Sequence, residues 1–500
     1  MQASNINLMV PVGFHSKCVG KGEMLYCRLT TQGDKAMHLE EEQIGDEEAA
    51  WLASALEDPR TQVKELYLQS NNIGPKGANA LAESLQTSKC FSLEQVNLSQ
   101  NDIGNEGCKY LASALKTNSS RLRQIDLDDN NIGAEGSKYL AKGLESNTSL
   151  LRLDLGANVI DKNGAASLAE MLKTNTTLQI LYLSENDIGN EGTVRLANAL
   201  KTNTSLQQLD LDANNVGEEG AKGLSDAIEI NTSLRKLSLG GNEIGANGAT
   251  VIAKALIKNN HNTLQQILLG GNNINDEGTR ALAEALKTTT NLQYLNLGSN
   301  NIGPEGAKAL AQGLQKTTTK TTGHKKTSCF LQQLELGENK IGDEGTIALA
   351  EALETDPSLQ RLDLDKNGIG KRGAKRCAQA LHDNTCLQEL QLGGNCIGVA
   401  GAKAFAKMLK INVVLSKLCF DGLGNSVGLR AMAFSLKTNT SLRILNVGRG
   451  LSDSGGVVGY SGCVEIANAL LMNSTMDDYV AGVFLNALHG EARTKFRKLS

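Results

Sequence analysis

One pattern of apolar and polar positions recurs along most of the chain. Two leucines separated by a single variable residue, as at Leu66–Leu68 or Leu209–Leu211, are followed by a short polar stretch. A second apolar group then appears at i, i+1 and i+4: Leu81-Ala82 with Leu85, Leu111-Ala112 with Leu115, Leu310-Ala311 with Leu314. The first group has the two-residue period of a strand buried on one side. The second is one face of a helix.

An asparagine marks the end of each strand phrase: Asn71, Asn101, Asn130, Asn158, Asn186, Asn214, Asn242, Asn272, Asn300, Asn339, Asn367 and Asn395. Their spacing is 28–30 residues except for one interval of 39, between Asn300 and Asn339. Ile or Val follows two residues later in every unit, and Gly six residues later, from Gly77 to Gly401. A buried amide after the strand can pair with backbone groups of its own and the neighbouring turn, so a ladder of amides is expected. The glycine should let the helix start lie close to the sheet. Each unit therefore reads as strand, turn, helix, turn, with parallel strands because every connection is a helical crossover.

Weaker copies extend the array at both ends. Met37–Leu39 with Ile44 and Gly45 fits one register earlier, and Leu418–Phe420 and Leu445–Val447 fit two registers later. This gives about fifteen units, with atypical ends that cap the stack. The expected organisation is an extension or cap over residues 1–36, an array over 37–475, and a cap helix with a basic tail over 476–500. The long interval places a polar, basic insertion at about residues 316–328. Trp51 falls at the helix leucine position and is expected to seal the N-terminal end; Asp477–Leu488 is expected to cover the other.

These motifs resemble leucine-rich repeats. The 28-residue length, the long helix and the Asn-x-Ile-Gly-x-x-Gly-Ala phrase are similar to the ribonuclease-inhibitor-like subclass. The resemblance implies an α/β fold, a leucine-rich repeat solenoid shaped as a right-handed α/β horseshoe, with a parallel sheet on the concave face and helices on the convex face. That subclass includes ribonuclease inhibitor, the sensing arrays of nucleotide-binding immune receptors, and the Ran GTPase-activating protein. Function differs among them, so the fold alone does not settle it.

Composition then narrows the chemistry. Among 500 residues there are 8 Phe, 8 Tyr and 1 Trp against 52 Gly, and the net charge is −4. The core is therefore aliphatic, and no basic excess points to nucleic acid. The ten cysteines are scattered with no Cys-x-x-Cys, and read as reduced thiols. No secretory signal and no 18-residue apolar run is present, so a cytoplasmic location without a membrane partner is expected. Asn-x-Ser/Thr phrases such as those at Asn147, Asn175, Asn203 and Asn231 read as the repeat's own turn. The nearest approach to a phosphate loop, Gly13 to Gly20-Lys21-Gly22, has the wrong spacing. No zinc-type spacing or nucleophile elbow occurs, so no cofactor, metal or catalytic residue is assigned. The Ran GTPase-activating resemblance implies an arginine on an early turn, but Gly74–Gly77 and Gly104–Gly107 contain none. A small GTPase partner remains the alternative, as does a sensor array acting with separate effector chains.

Once the repeat positions are set aside, the informative surface is the expected concave face. Positions one after the first Leu, and one and two after the second, carry Asp126, Asp128, Asp129, Asp154, Glu185, Asp210 and Asp212, then Glu335, Glu338, Asp363 and Asp365. At the same positions Ser238, Gly240, Gly241, Leu268, Gly270, Gly271 and Gly298 form an uncharged stretch between the two groups. Tyr67, Tyr182 and Tyr294 should reach the same face as anchors. Two readings stand: a solvated face that keeps the protein soluble, or electrostatic recognition of a protein with a basic surface. Ribonuclease inhibitor uses an acidic inner face in the second way. The leading expectation is a non-catalytic scaffold that binds a protein partner there.

Overall fold

The computed structural model describes residues 21–31, 34–87, 92–117, 121–259, 263–289, 291–315, 330–420 and 426–446. The expected insertion at 316–328 and the expected C-terminal helix at 477–488 lie outside these residues. The chain divides into two compact units, Met1–Asn158 and Val159–Ser500.

Unit one contains α1 (Lys21–Thr31), β1 (Ala36–His38), α2 (Asp46–Leu56), β2 (Glu65–Tyr67), α3 (Pro75–Gln86), β3 (Gln95–Asn97), α4 (Gly104–Thr117), β4 (Gln124–Asp126), α5 (Ala134–Leu144) and β5 (Arg152–Asp154). Its strands pair in parallel in chain order. Unit two begins with α6 (Lys162–Thr174), β6 (Ile180–Tyr182), α7 (Gly189–Leu200), β7 (Gln208–Asp210), α8 (Glu218–Ile228), β8 (Lys236–Ser238), α9 (Gly245–Lys258), β9 (Gln266–Leu268), α10 (Asn275–Leu286) and β10 (Tyr294–Asn296). It continues with α11 (Pro304–Leu314), β11 (Gln333–Glu335), α12 (Gly342–Leu353), β12 (Arg361–Asp363), α13 (Lys371–Ala380), β13 (Glu389–Leu392), α14 (Gly398–Leu409), β14 (Lys417–Phe420), α15 (Ser426–Leu436) and β15 (Ile444–Asn446). Its strands also pair in parallel and in chain order. In each unit the core lies between sheet and helices, where the strand leucines and helix stripes are buried.

The turn asparagine joins successive repeats. Asn300 donates through Nδ2 to the Leu269 carbonyl of the preceding repeat (2.8 Å) and to its own Gly298 carbonyl (3.0 Å). Its Oδ1 accepts from the N–H groups of Asn272 (3.0 Å) and Ile274 (3.1 Å). In unit one Asn130 likewise donates to Leu98 and Asp128 and accepts from Ile103. Each amide satisfies backbone groups that the turn would otherwise bury unpaired. A second set stands where helix leads to strand. Asn203 donates to the Leu172 carbonyl of the preceding repeat and accepts from Ser205 and Leu206 N–H. The Asn-x-Ser/Thr asparagines 147, 175, 203 and 231 are all buried in this way, as the turn reading requires.

Two details differ from expectation. A Cβ at Gly192 would stand 2.6 Å from Ile188 Cγ2 and 3.0 Å from Ala165 Cβ. The missing side chain thus admits the repeat's own isoleucine and the preceding helix, not the sheet. At the N-terminus Leu52 takes the buried position and Trp51 is 45% exposed. The indole instead covers Gly22 of α1, where a Cβ would meet the ring. Trp51 therefore holds an additional helix rather than filling the core.

Five helices are capped by the repeat before them. α3, α5, α8, α11 and α13 each start after an extended glycine, which has no side chain to cap the helix. The missing acceptor comes from Asp46, Asn105, Asn190, Asp276 and Asp343 at the start of the preceding helix. Asn190 Oδ1, for example, accepts from Gly217 N–H (2.8 Å) and Gly220 N–H (2.9 Å). Helix α6 uses its own Asp161, and α2 a capping box with Glu48.

These bonds set measurable costs. Asn190→Ala should lower stability by about 1–2 kcal/mol in urea unfolding. Asn198→Ala, exposed on the same helix, should change it by less than about 0.5 kcal/mol. Equal effects of the two would contradict capping from the neighbouring repeat.

Candidate functional site

Strand residues that alternate with the buried leucines emerge on the open side of the sheet. In unit one this places Asp126 of β4 directly in register with Asp154 of β5. Asp126 Oδ1 accepts from Asp128 N–H and Asp154 Oδ1 from Gly156 N–H, each at 3.1 Å. In unit two Asp210 accepts from Asp212 N–H (2.9 Å) and Asp363 from Asp365 N–H (2.8 Å). These are side-chain turns that close the strand end. Asn97 and Asn296 do the same for Ser99 and Gly298, so the hydrogen bond needs no charge. Glu335 of β11 is in register with Asp363 of β12 and accepts from Asn296 Nδ2 (2.6 Å).

The remaining expected residues fall into two groups. Asp128, Asp212 and Asp365 lie half-buried just past the strands, and the last two accept from Gly240 and Gly393 N–H of the next repeat. Asp129, Glu185 and Glu338 instead occupy left-handed turn positions (φ 51, 55 and 59) and are exposed beyond the sheet face. Glu338 pairs with Lys366, which holds its carboxyl below the usual range. The three tyrosines are half-buried and engaged with neighbours. Tyr67 stacks on His38 (4.7 Å, 4°) and donates to Glu65 (2.8 Å). Tyr182 Oη accepts from Gln208 (3.0 Å). Burial, and then the Glu335 carboxylate, raises the Tyr294 phenol.

Burial and like charge raise several of these carboxyls. Asp126 is raised first by burial, with Asp154 adding to it against the Asp128 N–H. Asp363 is raised by burial and by Glu335, again against a backbone N–H. Asp212 is pushed up to about 6 by burial and by Asp210. In register with Asp210, Ser238 is 1% exposed, and its hydroxyl has no hydrogen-bond partner.

A basic row escaped the sequence reading. The position before the first leucine emerges on the same side and carries Arg152, Lys236, Arg361 and Lys417. Arg152 lies 3.5 Å from Asp154; Arg361 and Lys417 lie 3.0 and 3.6 Å from Glu389. Extending the alternation one residue back would have found it. The acid is thus concentrated at the C-terminal ends of the strands, while the N-terminal ends carry these four basic residues and two acidic ones, Glu65 and Glu389. Among the described residues no three or more His, Cys, Asp or Glu side chains are placed to hold a metal ion. No described helix is long and apolar enough to cross a membrane.

Known proteins match the repeat. A model described as "Leucine Rich repeat" matches residues 61–82, 89–112, 260–283, 289–311, 327–350, 355–376 and 383–406. A model described as "TMOD/LMOD Leucine-rich domain" matches residues 109–260. With the parallel strand–helix units on view, the chain is a leucine-rich repeat protein. No curated protein matches its sequence. Among solved structures it is similar to an internalin of Listeria monocytogenes (19% identity, 79% of this chain and 88% of that one, TM-score 0.45). It is also similar to the yeast Rad7–Elc1 complex (15%, 83% and 91%, TM-score 0.44). Actin-binding site 2 of leiomodin-1 is a shorter match (25%, 30% and 86%, TM-score 0.27).

Asp212 makes stability depend on pH. Its folded value near 6 exceeds the ordinary 3.8, so its contribution is full below about pH 4 and lost as pH rises through about 6. Asp212→Asn keeps an oxygen for Gly240 N–H and carries no charge. In urea unfolding the variant should be more stable than wild type at about pH 8, with the gain disappearing toward about pH 4. A gain independent of pH would contradict this assignment.

Proposed function

We propose that this protein is a non-catalytic scaffold that binds a protein partner with a basic surface through the C-terminal strand ends of its sheet. One observation carries the reading: acidic side chains stand in register on adjacent strands, Asp126 beside Asp154 and Glu335 beside Asp363. Like charges directly opposite one another destabilise a sheet. Asn97 and Asn296 make the same turn bond without charge, so folding does not require aspartate at 126, 154 or 363. A lysine or arginine from a partner would relieve the repulsion, and salt would weaken the contact.

The resemblance to the ribonuclease-inhibitor-like subclass, of which ribonuclease inhibitor itself uses an acidic inner face in this way, supports the same reading. So does the open, uncharged floor formed by Gly240, Gly270 and Gly298 in unit two. Cys108, Cys377, Cys386, Cys396 and Cys419 are free thiols, Cys396 among them exposed, which suits a reducing cytoplasm.

Asp126→Asn with Asp154→Asn tests the reading, because both turn bonds survive and only charge is removed. Affinity capture by the wild-type chain should decline with rising salt. The double variant should retain its circular dichroism and capture about fivefold less partner at low salt. Unchanged capture by the variant would remove the acidic face from the binding surface.

A further inference from the structure

A second surface appears where one repeat departs from the others, on the helix side of unit two. In each helix the residue after the buried pair points to solvent, and from Ser54 in α2 through Glu284 in α10 to Lys407 in α14 it is polar. In α15 it is Phe434, 62% exposed. The turn after α14 departs at Val413, while Ile411 has a counterpart in Ile230 after α8. The α14 turn reads Lys410-Ile411-Asn412-Val413, where the turn after α15 reads Lys437-Thr438-Asn439-Thr440. Ile411 is 50% and Val413 73% exposed. Lys410 Nζ lies 4.3 Å from the centre of the Phe434 ring, so the departures form one patch.

The surroundings are basic. Lys403, Lys407 and Lys410 are exposed along α14 at i, i+4 and i+7, and Arg430, Phe434 and Lys437 have the same spacing along α15. Between Glu389 and Asp453 the sequence holds one acidic residue, Asp421. In the preceding repeats basic residues on the helix side meet carboxylates, as Arg372 meets Glu344 (3.0 Å) and Arg376 meets Glu354 (2.7 Å). No ion pair joins Lys403, Lys407 or Lys437 to a described carboxylate. Packing among the described residues does not account for the apolar residues. Lys407 stays exposed although α15 packs against α14, so a further helix on α15 would leave Phe434 exposed too.

We propose that this patch lies against an anionic lipid surface. Phe434, Ile411 and Val413 enter the boundary between headgroups and acyl chains, and the surrounding lysines meet the lipid phosphates and carboxylates. The lysine stems extend over the apolar centre while their charges stay at headgroup level. A peptide helix would need a groove, whereas these side chains protrude from a helix and a turn. In unit two the hollow lined by Leu200, Leu224 and Leu237 lies among core leucines and includes no residue of the patch. The lack of a spanning segment, which argued against a membrane partner, does not bear on a peripheral contact. The patch uses the helix side and leaves the strand side of unit two open, so it does not depend on the proposed protein contact.

The test is sedimentation of the full chain with phosphatidylcholine vesicles, with and without phosphatidylserine. The wild-type chain should pellet only with the anionic vesicles and be released by high salt. The triple variant Ile411→Thr, Val413→Thr and Phe434→Gln introduces polar residues used by other repeats, so it should fold; its partition should fall about tenfold. Lys407→Gln should lower partition about fivefold. Failure of the wild-type chain to pellet with anionic vesicles, or equal partition of the triple variant, would overturn the proposal. Binding of soluble polyglutamate at the patch without vesicle binding would also overturn it and assign the surface to an acidic protein segment.

Discussion

The asparagine amide buried between successive turns is the interaction on which each repeat depends. Burying an amide is unfavourable unless its donors and acceptors are all used. At Asn300 they are used only because the preceding repeat presents the Leu269 carbonyl and the Asn272 and Ile274 N–H groups. The helix side follows the same rule, since Gly217 and Gly220 find their acceptor on Asn190 one repeat earlier. A repeat taken alone would leave these groups unpaired. Stability therefore resides in the junctions as much as in the repeats, as expected for a solenoid.

What the sequence made legible was whatever recurs locally. Leu66–Leu68 announced a strand and Leu81, Ala82 and Leu85 a helix face, because each periodicity lies within a few residues. Asn71 could be read as a turn amide for the same reason. The capping of one helix by another was not legible. Asn105 and Asp276 look like ordinary residues at a helix start, and the amides they serve lie about one repeat further along the chain. Trp51 was misplaced by a single residue, which on a helix separates the buried Leu52 from the solvent side. On the sheet face the repeat spacing put Asp126 and Asp154 on neighbouring strands, but their turn bonds and the nearby Arg152 were invisible until the strand register was known.

The two sides of unit two carry different chemistry. The strand side concentrates carboxylates at the strand ends, with Asp212 displaced toward neutrality by burial and by Asp210. The helix side at α14 and α15 is basic, with apolar residues in its midst. Both differ from the repeat's own consensus by substitutions that the fold does not require: aspartate where asparagine makes the same bond, and phenylalanine where polar residues serve elsewhere. Residues common to every repeat explain how the chain stacks. Residues that break the pattern are where binding is to be sought.

The shared amide ladder is tested most directly by hydrogen–deuterium exchange at the Ile132, Val216 and Ile302 amides, which lie outside any strand or helix and donate to Asn158, Asn242 and Asn339 of the following repeat. The account predicts that they exchange as slowly as amides in the helix interiors. Exchange as fast as that of an exposed loop would contradict it.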